Sequence, residues 1–195
     1  MGRWQPDARG RLAVAALELY SERGYEQTTV AEIAGRAGLT ERTFFRHYAD
    51  KREVLFGGTD LLQDLFVTGV AESPRSATPL DAVTAGLTAA CAIFTDRREF
   101  ARRRQAVIKA NPELWERETT KLATLSAAVA EALRGRGVGE PAASLTGELG
   151  VAVFKVGFAR WLTADDEREM TEWLGESLDG VRDLMTAGGL AEPSP

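Results

Sequence analysis

Residues 27–55 read Gln-Thr-Thr-Val-Ala-Glu-Ile-Ala-Gly-Arg-Ala-Gly-Leu-Thr-Glu-Arg-Thr-Phe-Phe-Arg-His-Tyr-Ala-Asp-Lys-Arg-Glu-Val-Leu. Thr29 followed by Glu32 is a capping box, in which each side chain accepts from a backbone N–H that the helix start leaves orphaned. Val30, Ile33, Ala34 and Ala37 then recur at helical spacing, which predicts a helix of about nine residues ending at Gly38. Gly38 stands where a helix exit needs positive φ, and Thr40 supplies the next N-cap. Two short helices separated by so few residues must cross sharply, which is the geometry of a helix-turn-helix.

In the second of these helices Leu39 precedes the cap and Phe44 lies at the fourth helical position, a hydrophobic staple, and Phe44 and Tyr48 share one face. Those two side chains are expected inside. Glu41, Arg42, Thr43, Phe45, Arg46 and His47 are left pointing outward, a face of hydrogen-bonding heads with one flat aromatic, suited to a DNA groove. Asp50 and Glu53 suggest a third capping box, with Lys51 in the first turn of the next helix, where an ammonium beside free N–H groups favours a phosphate.

From Gly10 to about Leu55 the chain resembles the N-terminal DNA-binding domain of the TetR family of bacterial transcriptional regulators. The matching pattern is an apolar first helix closing in Glu-Arg-Gly-Tyr, then Thr-Thr-Val-Ala-Glu-Ile-Ala-Gly-Arg-Ala-Gly-Leu-Thr, Arg-Thr-Phe-Phe-Arg-His-Tyr and Asp-Lys-Arg-Glu-Val-Leu. The remaining three quarters matches only in helix number and length. The resemblance implies that Thr29, Thr40, Thr43, His47 and Lys51 grip phosphates, and that Glu41, Arg42, Phe45 and Arg46 face base edges, with stabilisation of its own helix start as the alternative for Glu41. Arg42 has the reach for guanine O6 and N7. Where Phe45 stands the family often has tyrosine, so a ring hydroxyl contact to phosphate is missing and apolar contact with a thymine methyl or a sugar replaces it.

Outside this stretch, composition sets limits. The 195 residues are 44% apolar and 27% charged, ordinary values for a folded chain. The net charge of −5 conceals a division, since residues 1–52 hold 9 Lys and Arg against 7 Asp and Glu, whereas residues 53–195 hold 15 against 22. Only the first segment suits contact with phosphate. The single cysteine, Cys91, has no intramolecular disulfide partner and reads as a buried core residue. With one histidine and one cysteine most zinc clusters and nucleophile–base pairs cannot be built, and although the 29 acids leave room for a carboxylate-only site, nothing in their spacing singles any out, so an enzyme is not expected and no cofactor is implied. Arg9 and Arg11 before Leu-Ala-Val-Ala-Ala-Leu imitate a signal peptide, but Glu18 and Glu22 interrupt it. Lys155 breaks the apolar run Leu149 to Ala159, so no run is expected to reach membrane-spanning length, and the chain reads as cytoplasmic.

In order along the chain, residues 1–7 predict a loose arm, either a plain disordered tail, the commoner case, or one from which Arg3 or Arg9 meets the minor groove. A helix from Asp7 to Arg23 follows. Val54, Leu55, Leu61, Leu62, Leu65 and Phe66 predict a long helix to Glu72, softened at Gly57 and Gly58. Thr78 and Pro79 open a helix to about residue 95, Asp96 caps the next, and Asn111-Pro112 opens another through Leu133. Between them Arg97, Arg98, Arg102, Arg103 and Arg104 form either a solvated face or a site for acidic oxygens. Residues 141–163 are apolar over most of their girth, residues 165–187 complete the pattern, and Gly188 to Pro195 read as frayed.

The expected fold is all-α with about nine helices. Residues 1–52 form a three-helix helix-turn-helix domain for DNA, and residues 53–195 a larger helical domain for ligand binding and dimerisation. The resemblance implies a homodimeric, ligand-responsive repressor on a palindromic operator, released when a small apolar molecule enters the second domain. Aromatic candidates to line that site are Phe66, Phe94, Trp115, Phe154, Phe158 and Trp161, with ordinary core packing as the alternative. The competing reading of the whole chain is a helical interaction protein that keeps the turn motif without binding DNA.

Overall fold

The computed structural model describes residues 8–186. Residues 1–7, with the arm residue Arg3 and the expected helix start at Asp7, and the tail from Gly188 to Pro195 lie outside the described residues. Among those described there are nine α-helices and no strand: α1 Ala8–Arg23, α2 Val30–Arg36, α3 Glu41–His47, α4 Thr59–Glu72, α5 Pro79–Ala90, α6 Arg98–Ala110, α7 Pro112–Gly135, α8 Ala142–Thr163 and α9 Met170–Thr186. Two 3-10 turns, Glu53–Phe56 and Cys91–Phe94, stand between helices.

The described chain packs as two compact units, the first comprising residues up to Leu61 together with Arg98–Lys121, the second Leu62–Arg97 and Leu122 onward. In the first, Leu12, Ala16, Leu19 and Tyr20 of α1 form the apolar stripe, and Ile33, Ala34, Phe44, Tyr48, Val54, Leu55, Phe56, Ile108 and Leu114 pack against it. Tyr25 is buried edge-on to Tyr20, with ring centroids 5.2 Å apart.

Residues 53–72 do not form the single helix that the apolar pattern suggests. The 3-10 turn covers Glu53–Phe56, and α4 begins only at Thr59 after Gly57 and Gly58. The capping box expected at Asp50 is half-formed. Asp50 Oδ1 accepts from the N–H groups of Arg52 and Glu53 at 2.8 and 3.2 Å, but the Glu53 carboxylate turns away to Arg117 at 2.6 Å and Lys121 at 3.6 Å. Asn111 likewise reaches back, its Nδ2 donating to the Val107 carbonyl at 2.6 Å. Asp96 adopts φ 56° in the turn before α6.

The arginine run is divided rather than continuous. Arg104 is mostly buried, with Nε donating to the Leu55 carbonyl at 2.7 Å and Nη1 to Glu118 at 3.1 Å, while Arg102 pairs with Glu99 on the surface.

In the second unit α8 packs on α5 and α9. Its Gly147, Gly150 and Gly157 are buried, and a Cβ at Gly157 would lie 2.6 Å from Leu174 of α9. Thr78 forms a capping box with Asp81, and Pro79 is the first residue of α5. Where α8 ends, Arg160 and Arg168 both lie over the Trp173 ring, at 4.7 and 4.4 Å, and both donate to Glu176 at 2.5 Å. Arg136 fastens the linker between α4 and α5 by donating to the carbonyls of Ser73 and Pro74, each at 2.7 Å. Cys91 is buried, and burial, with the Glu169 carboxylate adding to it, pushes its thiol up to about 12.

The span reading needs correction. Residues 53–72 and 142–163 are both long and apolar enough, by length and composition, to cross a membrane. Lys155 does not lower the mean hydropathy enough to exclude α8, although Val151, Val153, Phe154 and Trp161 of that helix are buried as core.

Candidate nucleic-acid interface

The turn between α2 and α3 is built from local hydrogen bonds. Thr29 Oγ1 accepts from the Glu32 N–H at 3.3 Å, and the Glu32 carboxylate accepts from the Thr29 N–H at 2.9 Å and its hydroxyl at 3.0 Å. Those bonds hold the Glu32 carboxyl below the ordinary range. At the other end of α2, Gly38 takes φ 65°, its N–H donates to Gly35 at 3.0 Å, and the Leu39 N–H donates to Ala34 at 2.8 Å. This pairing is a Schellman closure, which aims the chain into the next cap. Thr40 then accepts from the Thr43 N–H at 3.2 Å, and the two threonine hydroxyls lie 3.1 Å apart.

The result is the two-sided α3 that the spacing predicts. Phe44 is fully buried and Tyr48 nearly so, whereas Glu41, Arg42, Phe45 and Arg46 are exposed, Phe45 at 56%. Phe45 stands edge-on to Phe44, with centroids 5.4 Å apart, so the buried ring backs the exposed one. Thr43 and His47 are partly buried on the flanks of this face. The Nε2 of His47 is enclosed by protein with no hydrogen-bond partner.

Lys51 departs from its expected part. Its ammonium donates to the carbonyls of Tyr25, Glu26 and Thr28 at 2.9, 3.2 and 3.1 Å. An ammonium has three protons, and the chain's own carbonyls take all three. Lys51 instead holds the loop that leads into Thr29. Arg9, a candidate for the minor groove, has its guanidinium 5.6 Å from the centroid of the Tyr48 ring.

A residue that spacing did not single out is Arg11. Its Nη2 donates to the Ala37 carbonyl and to the Gly38 carbonyl at 3.4 Å, on the turn itself. A contact across 26 residues leaves no periodic trace in the sequence.

Of the aromatic candidates for a ligand site, four come together in the second unit. Phe94 lies 6.0 Å from Phe154, 5.3 Å from Phe158 and 5.9 Å from Trp161 between ring centroids, and Phe154 stacks on Phe158 at 5.6 Å with an interplanar angle of 13°. Phe66 is fully buried and packs against the backbone at Gly86. Trp115 belongs to the first unit and is half-exposed. Among the described residues no group of three or more His, Cys, Asp or Glu is placed to hold a metal ion.

Comparison with known proteins agrees with this geometry. The family model for bacterial regulatory proteins of the tetR family matches residues 12–56, and the model for the MftR C-terminal domain matches residues 77–186. The chain is 30% identical over 189 residues to MftR of Mycobacterium tuberculosis, described as a mycofactocin biosynthesis transcriptional regulator, covering 93% of this chain and 92% of that one. It is 37% identical over 81 residues to the HTH-type transcriptional regulator TcmR of Streptomyces glaucescens, covering 42% of this chain and 36% of TcmR. Among solved structures, the TetR-family repressor FadR of Thermus thermophilus, in complex with lauroyl-CoA, superposes with a TM-score of 0.54 at 24% identity, covering 96% of this chain and 98% of FadR. A TetR-family regulator of Syntrophomonas wolfei superposes with a TM-score of 0.65 at 15% identity, covering 96% and 98% of the two chains. These are regulators rather than enzymes, and by the matches to both of its segments the chain belongs to the TetR family of bacterial transcriptional regulators.

Proposed function

We propose that this chain is a ligand-responsive homodimeric repressor that binds a palindromic DNA operator through α3 and leaves it when a small apolar molecule occupies the second unit. The observation that carries the reading is the exposed row of Glu41, Arg42, Phe45 and Arg46 in front of a buried Phe44 and Tyr48. Arg42 pairs with a guanine edge, Glu41 and Arg46 meet neighbouring edges, and Phe45 covers a thymine methyl or a sugar. Thr29, Thr40, Thr43 and His47 contact phosphates that set the register. Lys51 supports this set from behind by tying down the loop that ends at Thr28.

DNA binding stays with residues 1–52, and effector binding and dimerisation with residues 53–195, of which 53–61 and 98–121 pack with the first group. The dimer is supported by apolar side chains that α8 and α9 leave exposed, Leu145, Val156, Leu184 and Met185. A twofold dimer presents two copies of α3 about 34 Å apart, the spacing of successive major grooves. The rings of Phe94, Phe154, Phe158 and Trp161 supply the apolar surface for the effector. Acyl chains are the first class to try, since a fold neighbour was crystallised with lauroyl-CoA. The site of action is the cytoplasm.

The test is a salt-dependent gel shift with the DNA upstream of the chain's own gene, repeated with lauroyl-CoA and with dodecanoate. Retarded bands on a short palindrome, lost on adding either lipid, bear out the reading. Absence of any sequence preference overturns it, and a monomer by light scattering at micromolar concentration removes the dimer.

A further inference from the structure

We infer that α1 sets the tilt of the recognition helix, with Arg11 acting as a positioning residue for DNA readout although it stands 31 residues before Arg42. This inference rests on the reading that α3 meets the base edges.

The turn before α3 and the residue that caps its end are tied to nearly the same place on α1. At the front end, the Schellman closure of α2 uses the N–H groups of Gly38 and Leu39 and leaves the carbonyls of Ala37 and Gly38 projecting from the negative end of a helix. Arg11 Nη2 donates to both carbonyls. Only Leu39 separates Gly38 from Thr40, the N-cap of α3, so the direction in which α3 leaves the turn follows from where these carbonyls are held. At the rear end, Tyr48 is the C-cap of α3, and its phenol donates to the Arg9 carbonyl at 3.2 Å, with the Arg9 guanidinium over its ring. Residues 9 and 11 therefore fasten the turn that feeds a seven-residue helix and the residue that caps its far end.

The lever is short, so small displacements matter. Seven residues at 1.5 Å rise give about 10 Å, and a shift of about 1 Å at one end tilts the axis by roughly 6°. Base readout depends on hydrogen-bond geometry that weakens steeply with misalignment. Phosphate attraction is far less angular, so the two kinds of contact respond differently to a loosened tie. Gly38 belongs to the same device: at φ 65° it has no Cβ, and one placed there would lie 2.9 Å from Arg11 Nη2.

The experiment measures discrimination. A duplex is selected from a random-sequence library by the full chain, and binding to it and to its scrambled version is compared for wild type, Arg11→Met, Arg11→Lys and Tyr48→Phe, well below each melting temperature. Val129→Ala, a core change in the second unit, is the control for lowered stability. The expected result is that Arg11→Met loses about tenfold on the selected duplex, the scale of one base contact, and little on the scrambled one. Arg11→Lys regains part of the loss, Tyr48→Phe shows the same contraction to a smaller degree, and the control keeps the wild-type ratio. If Arg11→Met keeps that ratio, or loses both affinities in proportion to its unfolded fraction as the control would, Arg11 is a structural contact and the inference falls. If Arg11→Met does not fold, Tyr48→Phe decides by the same criterion. If instead Arg42→Ala in the otherwise wild-type chain leaves discrimination untouched, the assignment of α3 as the reading helix falls, and the inference with it.

Discussion

The ammonium of Lys51 lies 4.4 Å from the centroid of the Tyr25 ring and donates to that residue's own carbonyl at 2.9 Å. The Lys51 carbonyl in turn accepts from the Tyr20 phenol at 2.6 Å, so the end of α1, the loop before α2 and the turn after α3 are joined at one residue. Replacing Lys51 with Met removes three charge-assisted bonds from carbonyls that are partly enclosed, a loss of about 1–3 kcal/mol. The expected outcome is a melting temperature lower by several degrees with the slope of log affinity against log salt unchanged. A slope reduced by about one ion at constant melting temperature would return Lys51 to the phosphate backbone.

Lys51 also marks where sequence reading stops. The caps at Thr29, Thr40 and Thr78 were legible because each joins residues three apart, a relation that the sequence displays directly. Helix existence was legible for the same reason, since apolar periodicity is local. The same local rule failed at Asp50, where a tertiary partner redirected the second member of the expected pair, Glu53, to Arg117. Arg11 and Arg104 were beyond reach, because their acceptors lie 26 and 49 residues away. Of the aromatic candidates, those on α8 share one face by spacing and did meet. Trp115 shares no element with them, and nothing in the sequence opposed its inclusion.

Arg104 gives a second prediction. Its guanidinium is enclosed over the Phe56 ring, 5.1 Å from the centroid, and joined to Glu118, which also accepts from Gln105 at 2.9 Å. Burial draws the Arg104 pKa down and Glu118 opposes that shift, but a guanidinium starts high enough to remain charged at neutral pH. Removing one partner strands the other, so Glu118→Ala is expected to cost about 3–5 kcal/mol by urea denaturation. The double change Arg104→Met with Glu118→Ala should cost less than the sum of those two changes made singly. Additive losses would mean that the two groups are solvated independently.

Acid should weaken the chain in a defined window. Hydrogen bonds from Thr29 hold Glu32 low and those from Thr78 hold Asp81 low; at Asp50 burial works the other way, but Arg52 and the N–H groups of Glu53 and Arg52 outweigh it. For a carboxyl held low in the folded state, the unfolded chain takes up protons first as pH falls. Stability from these groups is therefore full above the ordinary carboxylate range near pH 4, and is lost as pH drops through it towards their folded values. Urea midpoints at pH 7 and 5 should agree closely and fall below pH 4. Glu32→Gln should make that decline shallower, and an unaltered decline would remove Glu32 from the set.

One substitution should have opposite effects at two glycines of the second unit. A Cβ at Gly86 on α5 would lie 2.6 Å from the Phe66 carbonyl oxygen and 2.5 Å from Cδ2 of its ring, and a Cβ at Gly69 on α4 would lie 2.7 Å from the Gly86 Cα. The helices cross backbone to backbone there, and Phe66 is fully buried, so neither partner can give way without moving others. Alanine gains up to about 1 kcal/mol of helix propensity over glycine, while overpacking a tight core costs about 1–3 kcal/mol. Packing therefore outweighs propensity at Gly86, and Gly86→Ala should lower the urea midpoint. At Gly180 on α9 an added Cβ meets nothing within 4 Å, so only the propensity remains and Gly180→Ala should raise the midpoint. If both variants move in the same direction, the close crossing of α4 and α5 is not what determines the choice of residue at Gly86.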